Sequence, residues 1–121
     1  MTLDRVTPVL RIFDEAAAKA FYVQFLGFTL DWEHRFEDDL PLYAQVCRGG
    51  CILHLSGHHG DGSPGARIRI ACDDVYAYQQ ELAEKRYKYG RPQVEELAWG
   101  KELSVLDPVG NHLIFWEKIG D

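Results

Sequence analysis

Residues 50–56 have the sequence GCILHLS, and residues 110–116, sixty positions later, have the sequence GNHLIFW. Both stretches begin with a turn that contains glycine and continue with apolar side chains at every second position, which is typical of a β-strand. Upstream, strand-like segments end at Phe13-Asp14 and at Cys72-Asp73, 59 residues apart, and each aspartate is a suitable helix cap. The recurrence of these features at nearly one spacing predicts an internal duplication.

Each predicted half contains a strand, a helix and three further strands, so the expected fold class is α+β. A helix of about three turns is expected from Asp14 to Gly27, and a second helix from Asp73 or Asp74 to Gly90. The predicted strands are residues 5–13, 28–36, 42–48 and 51–56 in the first half, and 67–72, 91–95, 101–106 and 112–117 in the second. We expect one domain, 1–121, with module 1 at about 1–57 and module 2 at about 66–121, joined by a glycine-rich segment.

The composition restricts the classes of partner. The chain has 121 residues and a formal net charge of −6, which disfavours nucleic acid and favours a cationic or neutral small ligand. It contains no long apolar run and no signal-peptide pattern, so we expect a cytoplasmic protein without a membrane partner. Cys47, Cys51 and Cys72 show no C-x-x-C spacing and are predicted to be reduced core residues.

Alternation along the strands separates two faces of the predicted sheets. Apolar pairs such as Leu10 and Ile12, or Leu53 and Leu55, indicate the face that packs under the helices. The opposite face is polar with scattered aromatic rings, which suits the lining of a cleft. We therefore predict a ligand-binding set on or near this face: Trp32, His34, Phe36, His54, Arg67, Arg69, Trp99, His112 and Trp116.

Several motifs in this order resemble one known superfamily. They are the runs Pro8-Val9-Leu10-Arg11, Phe21-Tyr22, Leu26-Gly27-Phe28, Leu53-His54-Leu55-Ser56 and Asp107-Pro108-Val109-Gly110-Asn111, with Asp14 and Phe115. Together they resemble the vicinal oxygen chelate superfamily of glyoxalases, bleomycin-resistance proteins and dioxygenases, with the greatest likeness to the bleomycin-resistance proteins. The resemblance implies two β-α-β-β-β modules that form a cupped mixed sheet.

The resemblance also identifies the positions that hold a divalent metal in the metal-dependent members: Thr7, His54, Arg67 and Ile114 in this sequence. Only His54 is a usual metal ligand, whereas catalytic sites generally need about three. We therefore predict no metal and no cofactor. Bleomycin-resistance proteins also lack the metal and bind their drug in clefts of a homodimer, which implies a homodimer here.

Alternatives remain open for most of these residues. His54 is either a ligand contact or general base, or a neutral imidazole satisfied by a polar neighbour. Arg67 and Arg69 either clamp an anionic group or pair with acids such as Glu33 or Glu102, and two unneutralised guanidinium groups would disfavour cationic bleomycin. The tryptophans contact a ligand, a second subunit or the core. The 58–59 histidine pair and the acidic run 37–39 are expected in solvated loops.

Three functions follow from these alternatives. The first is a non-catalytic protein that sequesters a small molecule, such as a glycopeptide antibiotic, and has no catalytic residues. The second is a metal-dependent isomerase, lyase or dioxygenase that recruits His54, His58 and His112. The third is a metal-free enzyme with His54 as base and Arg67 as oxyanion partner.

Overall fold

The computed structural model describes residues 1–85 and 90–118. The chain divides into two compact units, Met1–Pro64 and Gly65–Asp121. Each unit contains one four-stranded sheet with a helix in the connection after its first strand. The predicted β-α-β-β-β order is therefore confirmed in both halves, and so is the α+β fold class.

Unit 1 contains strands β1 to β4 in the spatial order β1-β4-β3-β2. β1 is parallel to β4, and the other neighbours are antiparallel. The helical segment begins as α1 and continues with π-helical geometry. The elements are β1 (Val9–Arg11), α1 (Glu15–Lys19), the π-helical segment (Ala20–Phe25), β2 (Thr29–His34), β3 (Tyr43–Arg48) and β4 (Cys51–Ser56).

Unit 2 repeats this topology with the spatial order β5-β8-β7-β6, and β5 is parallel to β8. Its elements are β5 (Arg67–Ala71), α2 (Val75–Glu84), β6 (Val94–Leu97), β7 (Gly100–Leu106) and β8 (His112–Lys118). The predicted extension of this helix toward Gly90 falls partly on residues 86–89, which lie outside the described residues. The second strand of this unit, β6, was predicted to begin three residues too early, because Pro92 cannot donate a ladder hydrogen bond.

The strand pairing of the two units shows the same displacement as the repeat in the sequence. Val9 pairs with His54 in unit 1, and Arg69 pairs with Ile114 in unit 2, so both partners are displaced by 60 positions. The neighbouring pairs of the two parallel ladders are displaced by the same number. One strand arrangement is therefore used twice, as the spacing of the turns predicts.

Both helices begin at the predicted aspartates. The Asp14 side chain accepts a hydrogen bond from the amide of Ala17, and Asp74 accepts one from the amide of Ala77, each at 3.0 Å. Such caps satisfy amide groups that have no partner within the first turn of a helix. The aspartates thus fix where each chain segment leaves the sheet.

The first helix and the first strand differ from the prediction. From Ala20 the helix widens into π geometry, with the amide of Leu26 donating to the carbonyl of Phe21 at 2.9 Å. This broader turn accompanies a wide buried face that includes both of these residues. β1 contains three residues instead of nine, because Pro8 cannot donate to the ladder and Asp14 already caps the helix.

Three of the four apolar pairs predicted on the packed face, those at β1, β4 and β8, belong to the core, and the pair Ile68 and Ile70 of β5 does not. Large side chains from the helices and strands have at most 3% of their surface exposed; these are Leu10, Ile12, Phe21, Phe25, Leu53 and Leu55 in unit 1, and Leu82, Leu103, Leu113 and Phe115 in unit 2. Burial of one such side chain contributes about 1.5–3 kcal/mol. Ile68 and Ile70 are only half-buried, so β5 packs less completely than predicted.

Candidate functional site

The face of the unit 1 sheet opposite the core carries a cluster of rings and amides, which we call the aromatic face: Trp32, Tyr43, Gln45 and His54. Gln45 of β3 lies between Trp32 of β2 and His54 of β4 in the ladder. Side chains of directly paired residues share one face of a sheet, which brings these groups together. Trp32 is 41% exposed, so the cluster is open to solvent on this side.

Three rings of the aromatic face contact one another. Trp32 and Tyr43 are stacked, with their centroids 6.0 Å apart and an interplanar angle of 13°. His54 meets both rings edge-on, at 5.3 Å from Trp32 and 5.2 Å from Tyr43. Stacked and edge-to-face pairs are the favourable arrangements of aromatic rings. The cluster therefore forms a preorganised aromatic surface with one partly exposed indole.

Hydrogen bonds select one tautomer of the neutral His54 ring. Gln45 Nε2 donates to Asp31 at 3.1 Å, which turns Gln45 Oε1 toward His54 Nε2 at 2.9 Å. An amide oxygen only accepts, so Nε2 carries the proton. In the neutral ring Nδ1 then accepts from the Tyr43 hydroxyl at 2.7 Å. His54 is thus satisfied by polar neighbours, which is the second of the two interpretations that the sequence left open.

Asp31 reaches the aromatic face because the ladder between β2 and β3 shifts register between Leu30 and Trp32. Its second carboxylate oxygen accepts from the Cys47 thiol at 3.3 Å. This hydrogen bond is the main reason that the pKa of Cys47 is raised, because losing the thiol proton would place two negative groups in contact. Burial raises the pKa of Tyr43, and the charge of Asp61 adds to the effect.

His34 and Phe36 lie beyond this cluster and form a second ring group with His58. The ring centroids are 4.6 Å apart for His34 and Phe36, and 5.7 Å apart for Phe36 and His58. Phe36 is 70% exposed. The Nε2 atom of His58 is buried without a hydrogen-bond partner, while its backbone amide donates to Ser56. His58 is therefore packed against the loop rather than fully solvated, contrary to the prediction, because Phe36 covers its ring.

Four residues of unit 2 form what we call the Glu102 cluster: Arg69, Trp99, Glu102 and Trp116. Glu102 accepts from the Trp99 indole and from the Arg69 guanidinium, each at 2.9 Å. The guanidinium carbon lies 5.6 Å from the centroid of the Trp116 ring. The indole hydrogen bond is the first cause of a lowered pKa of Glu102, and Arg69 reinforces it. Arg69 is thus neutralised by an acid, one of the two expectations stated for it.

Arg67 and His112 form the first pair of the β5–β8 ladder. Arg67 is exposed and contributes a smaller share of the lowered pKa of Glu102, while His112 is half-buried. Ile114, on the same alternating face of β8, is only 1% exposed. The prediction that this whole face lines an open cleft is therefore wrong at Ile114, because its apolar side chain is buried.

The donor chemistry does not fit a divalent metal at the positions that the resemblance indicates. Thr7 is exposed, Ile114 has no donor atom, and the lone pair of His54 Nδ1 is used by Tyr43. Over residues 1–85 and 90–118, no group of three or more His, Cys, Asp and Glu side chains is placed to hold a metal ion. The cysteines Cys47, Cys51 and Cys72 are free thiols but half-buried, so their predicted place in the core is wrong.

Sequence reasoning missed Tyr43, Gln45 and Asp31 as members of the site. Tyr43 and Gln45 alternate along β3 at a spacing of two, and this spacing is the signal that could have placed them on one face. Asp31 gave no such signal, because its position depends on the register shift in β2. Glu102 had been considered only as a partner for an arginine.

A family model described as a glyoxalase superfamily protein matches residues 1–121. The chain therefore belongs to the glyoxalase superfamily, which confirms the resemblance deduced from its motifs. A comparison with curated protein sequences gave no match. In the part of the chain that the structure describes, no helix is long and apolar enough to cross a membrane.

Solved structures with the same fold include several antibiotic-binding proteins. The bleomycin-binding protein of Streptomyces verticillus, complexed with copper(II)-bleomycin, is 28% identical, with a TM-score of 0.73 and coverage of 100% of this chain and 99% of that one. TnmS3, an antibiotic-binding protein from Streptomyces sp. CB03234, is 23% identical, with a TM-score of 0.74 and coverage of 98% and 99%. A bleomycin resistance determinant encoded on transposon Tn5 is 22% identical, with a TM-score of 0.74 and coverage of 96% and 98%.

Proposed function

We propose that this protein binds a small cationic antibiotic of the glycopeptide type, such as bleomycin, and releases it chemically unchanged. The proposal rests mainly on the aromatic face, where the exposed indole of Trp32 is stacked with the neighbouring Tyr43 ring. A flat heteroaromatic group can stack on such a surface without the cost of ordering its side chains. Full-length similarity to a protein that binds copper(II)-bleomycin supports the same ligand class.

Charge favours a cationic ligand over an anionic one. Unit 1 contains five Lys and Arg residues and nine Asp and Glu residues, a formal net charge of −4. In unit 2 the salt bridge between Arg69 and Glu102 neutralises one of the two guanidinium groups that the sequence set against bleomycin. This salt bridge therefore reduces the electrostatic repulsion expected between unit 2 and a cationic drug.

The contacts of His54 argue for binding rather than catalysis. A general base needs a free lone pair within reach of the substrate proton. The Nδ1 lone pair already accepts the Tyr43 hydroxyl, and Nε2 donates to Gln45. Base catalysis by His54 would first have to break one of these bonds. The proposal therefore assigns no catalytic residue, metal or cofactor.

We also propose that the protein acts as a homodimer. Large apolar side chains are exposed on both units, among them Phe13 at 64%, Phe36 at 70% and Leu106 at 52%. Exposed apolar groups of this size are common at protein interfaces. Light scattering coupled to size-exclusion chromatography is expected to give a mass of twice 13.9 kDa. A mass equal to one chain at micromolar concentration would reject the dimer.

Calorimetric titration with bleomycin tests the binding proposal, with Trp32→Ala as the site variant and Trp99→Ala as the matched control. Loss of one ring contact of about 0.5–1.5 kcal/mol weakens binding about 2- to 12-fold. We expect this loss for Trp32→Ala and a smaller one for Trp99→Ala, since the Trp99 indole is held by Glu102.

Mass spectrometry of the recovered drug distinguishes binding from turnover. We expect unaltered bleomycin after prolonged incubation with the wild-type protein. A dissociation constant above about 100 μM, which corresponds to less than about 5.5 kcal/mol of binding free energy, would remove bleomycin as the ligand. A modified product would replace the binding proposal with an enzymatic one.

A further inference from the structure

The aromatic face contains a directional chain of hydrogen bonds whose effect on ligand choice the binding proposal leaves open. It runs from Asp31 through Gln45 and His54 to the hydroxyl of Tyr43. A carboxylate only accepts, so the Gln45 amide N–H must donate to Asp31 and the Gln45 oxygen must accept from His54 Nε2. His54 Nδ1 is then left to accept from Tyr43. The chain ends by committing the hydroxyl proton of Tyr43 to His54.

We infer that Asp31, Gln45 and His54 are positioning residues that make Tyr43 an acceptor toward a ligand, so the aromatic face selects flat rings bearing N–H donors. The inference rests on the proposed function and names the chemical class of the ligand groups that the site selects: aromatic amidines and protonated aminoheterocycles. His54 acts through Tyr43 in this scheme and does not itself contact the ligand.

The groups around Trp32 support this selectivity. With its proton committed to His54, the Tyr43 oxygen offers only lone pairs, and the exposed Asp31 carboxylate retains lone pairs beyond its bonds to Gln45 and Cys47. The described side chains near this point that keep donors are Trp32 itself, through its indole N–H, Gln45, through its second amide N–H, and the His34 ring. A ligand that lies on Trp32 therefore meets acceptors on two sides and a negative charge on one.

Arg11 carries a positive charge on the same sheet face, and its guanidinium contacts groups other than the aromatic face. Arg11 pairs with Ser56 at the far end of the β1–β4 ladder. Its guanidinium lies 5.0 Å from the centroid of the Phe13 ring and donates to the Ile12 carbonyl at 3.4 Å. An anionic ligand on Trp32 would thus meet the Asp31 carboxylate while the Arg11 guanidinium of the same face is held by other groups.

Nitrogen NMR of the histidine ring tests the chain without any ligand. In its neutral form, the His54 ring is expected in a single tautomer with the proton on Nε2. Gln45→Met removes the acceptor that fixes this tautomer at nearly constant volume, so we expect the Nδ1-protonated form to become populated. The same substitution at the exposed Gln80 of unit 2 is the control and leaves the His54 signals unchanged.

Binding of two probes with the same ring tests the selectivity. Benzamidinium carries N–H donors and a positive charge, whereas benzoate carries acceptors and a negative charge. We expect benzamidinium to shift the amide signals of β2, β3 and β4 at concentrations where benzoate does not. Tyr43→Phe removes the acceptor and is expected to weaken benzamidinium binding by about threefold or more. Gln45→Met reduces the preference for benzamidinium, and the Gln80 control does not.

Two results would overturn the inference: an Nδ1-protonated or mixed tautomer of wild-type His54, or equal binding of benzamidinium and benzoate. Either result leaves the antibiotic proposal standing if calorimetry shows that bleomycin binds. Conversely, if wild-type His54 has a single tautomer and the protein prefers benzamidinium but does not bind bleomycin, the inferred selectivity stands and bleomycin is rejected as the ligand. The two proposals therefore fail in distinguishable ways.

Discussion

Replacement of Asn111 by alanine tests how the turn between β7 and β8 holds unit 2 together. Asn111 is fully buried, and its Nδ2 donates to the carboxylate of Asp107 at 2.8 Å. Its side-chain oxygen accepts from the amide of Ala66 at 3.0 Å, just before β5 begins. One side chain therefore links the β7–β8 turn to the start of a strand that lies far away in sequence.

The expected cost follows from these two hydrogen bonds. A bond to a charged group contributes about 1.5–3 kcal/mol, and an amide left buried without a partner costs about 1–3 kcal/mol. Allowing for incomplete additivity, Asn111→Ala is expected to lower the free energy of unfolding by about 3–5 kcal/mol. This is a large part of the total stability of a domain, which is about 5–15 kcal/mol.

Urea unfolding followed by circular dichroism measures this change, and the duplication provides a matched control. Cys51 occupies the position equivalent to Asn111 in unit 1, sixty residues earlier, and it is only half-buried. Cys51→Ala is expected to cost less than about 1 kcal/mol. If the two variants lose the same stability, or if Asn111→Ala unfolds within about 1 kcal/mol of the wild type, the structural role assigned to Asn111 is refuted.

Two further substitutions test the Glu102 cluster and the connecting segment. The indole N–H and then the guanidinium lower the pKa of Glu102 below the ordinary value of 4.5, so its contribution is present above that pH and is lost as the pH falls through the lowered pKa. Glu102→Gln should therefore destabilise the protein at pH 7 but reduce the acid sensitivity of its melting temperature, and an unchanged acid profile would count against the assignment. A Cβ on Gly62 would lie 2.9 Å from the Val9 carbonyl oxygen at a φ of +83°, so Gly62→Ala should cost about 1–2 kcal/mol. Gly60→Ala, with φ of +95° and no atom within 4 Å of the added carbon, should cost less, and equal melting temperatures would contradict the steric argument.

The sequence predicts the features of this fold that depend on local patterns. The caps at Asp14 and Asp74, the bounds of β4 and the displacement of the two halves by sixty residues all agree with the structure. These features arise from capping chemistry, turn residues and side-chain alternation, each of which acts within a few residues. The prediction for β1 was too long because it overlooked the local effects of Pro8 and Asp14, whereas the π-helical segment accompanies tertiary packing and was therefore missed.

The candidate site was less accessible to sequence reasoning, because it depends on register between strands. Trp32 and His54 were predicted, but the groups that join them come from β3 and from the register shift in β2. A shift of one residue would move Asp31 away from Gln45 and leave the His54 tautomer unassigned. Alternation identifies which face a residue occupies, whereas cross-strand neighbours are set by the folded sheet.

Comparison of equivalent positions shows how one duplicated scaffold has acquired two different surfaces. Val9 and His54 pair in unit 1, where the imidazole joins the hydrogen-bond chain of the aromatic face. The equivalent pair in unit 2 is Arg69 and Ile114, where the arginine binds Glu102 and the isoleucine is buried. The same ladder thus supports a ring-lined surface beside the Asp31 carboxylate in one half and an ion pair in the other. In unit 2 the arginine at this position is already paired with an acid. Unit 1 instead retains an exposed indole and acceptors without a donor. We therefore expect ligand recognition to be concentrated in the first half of the chain.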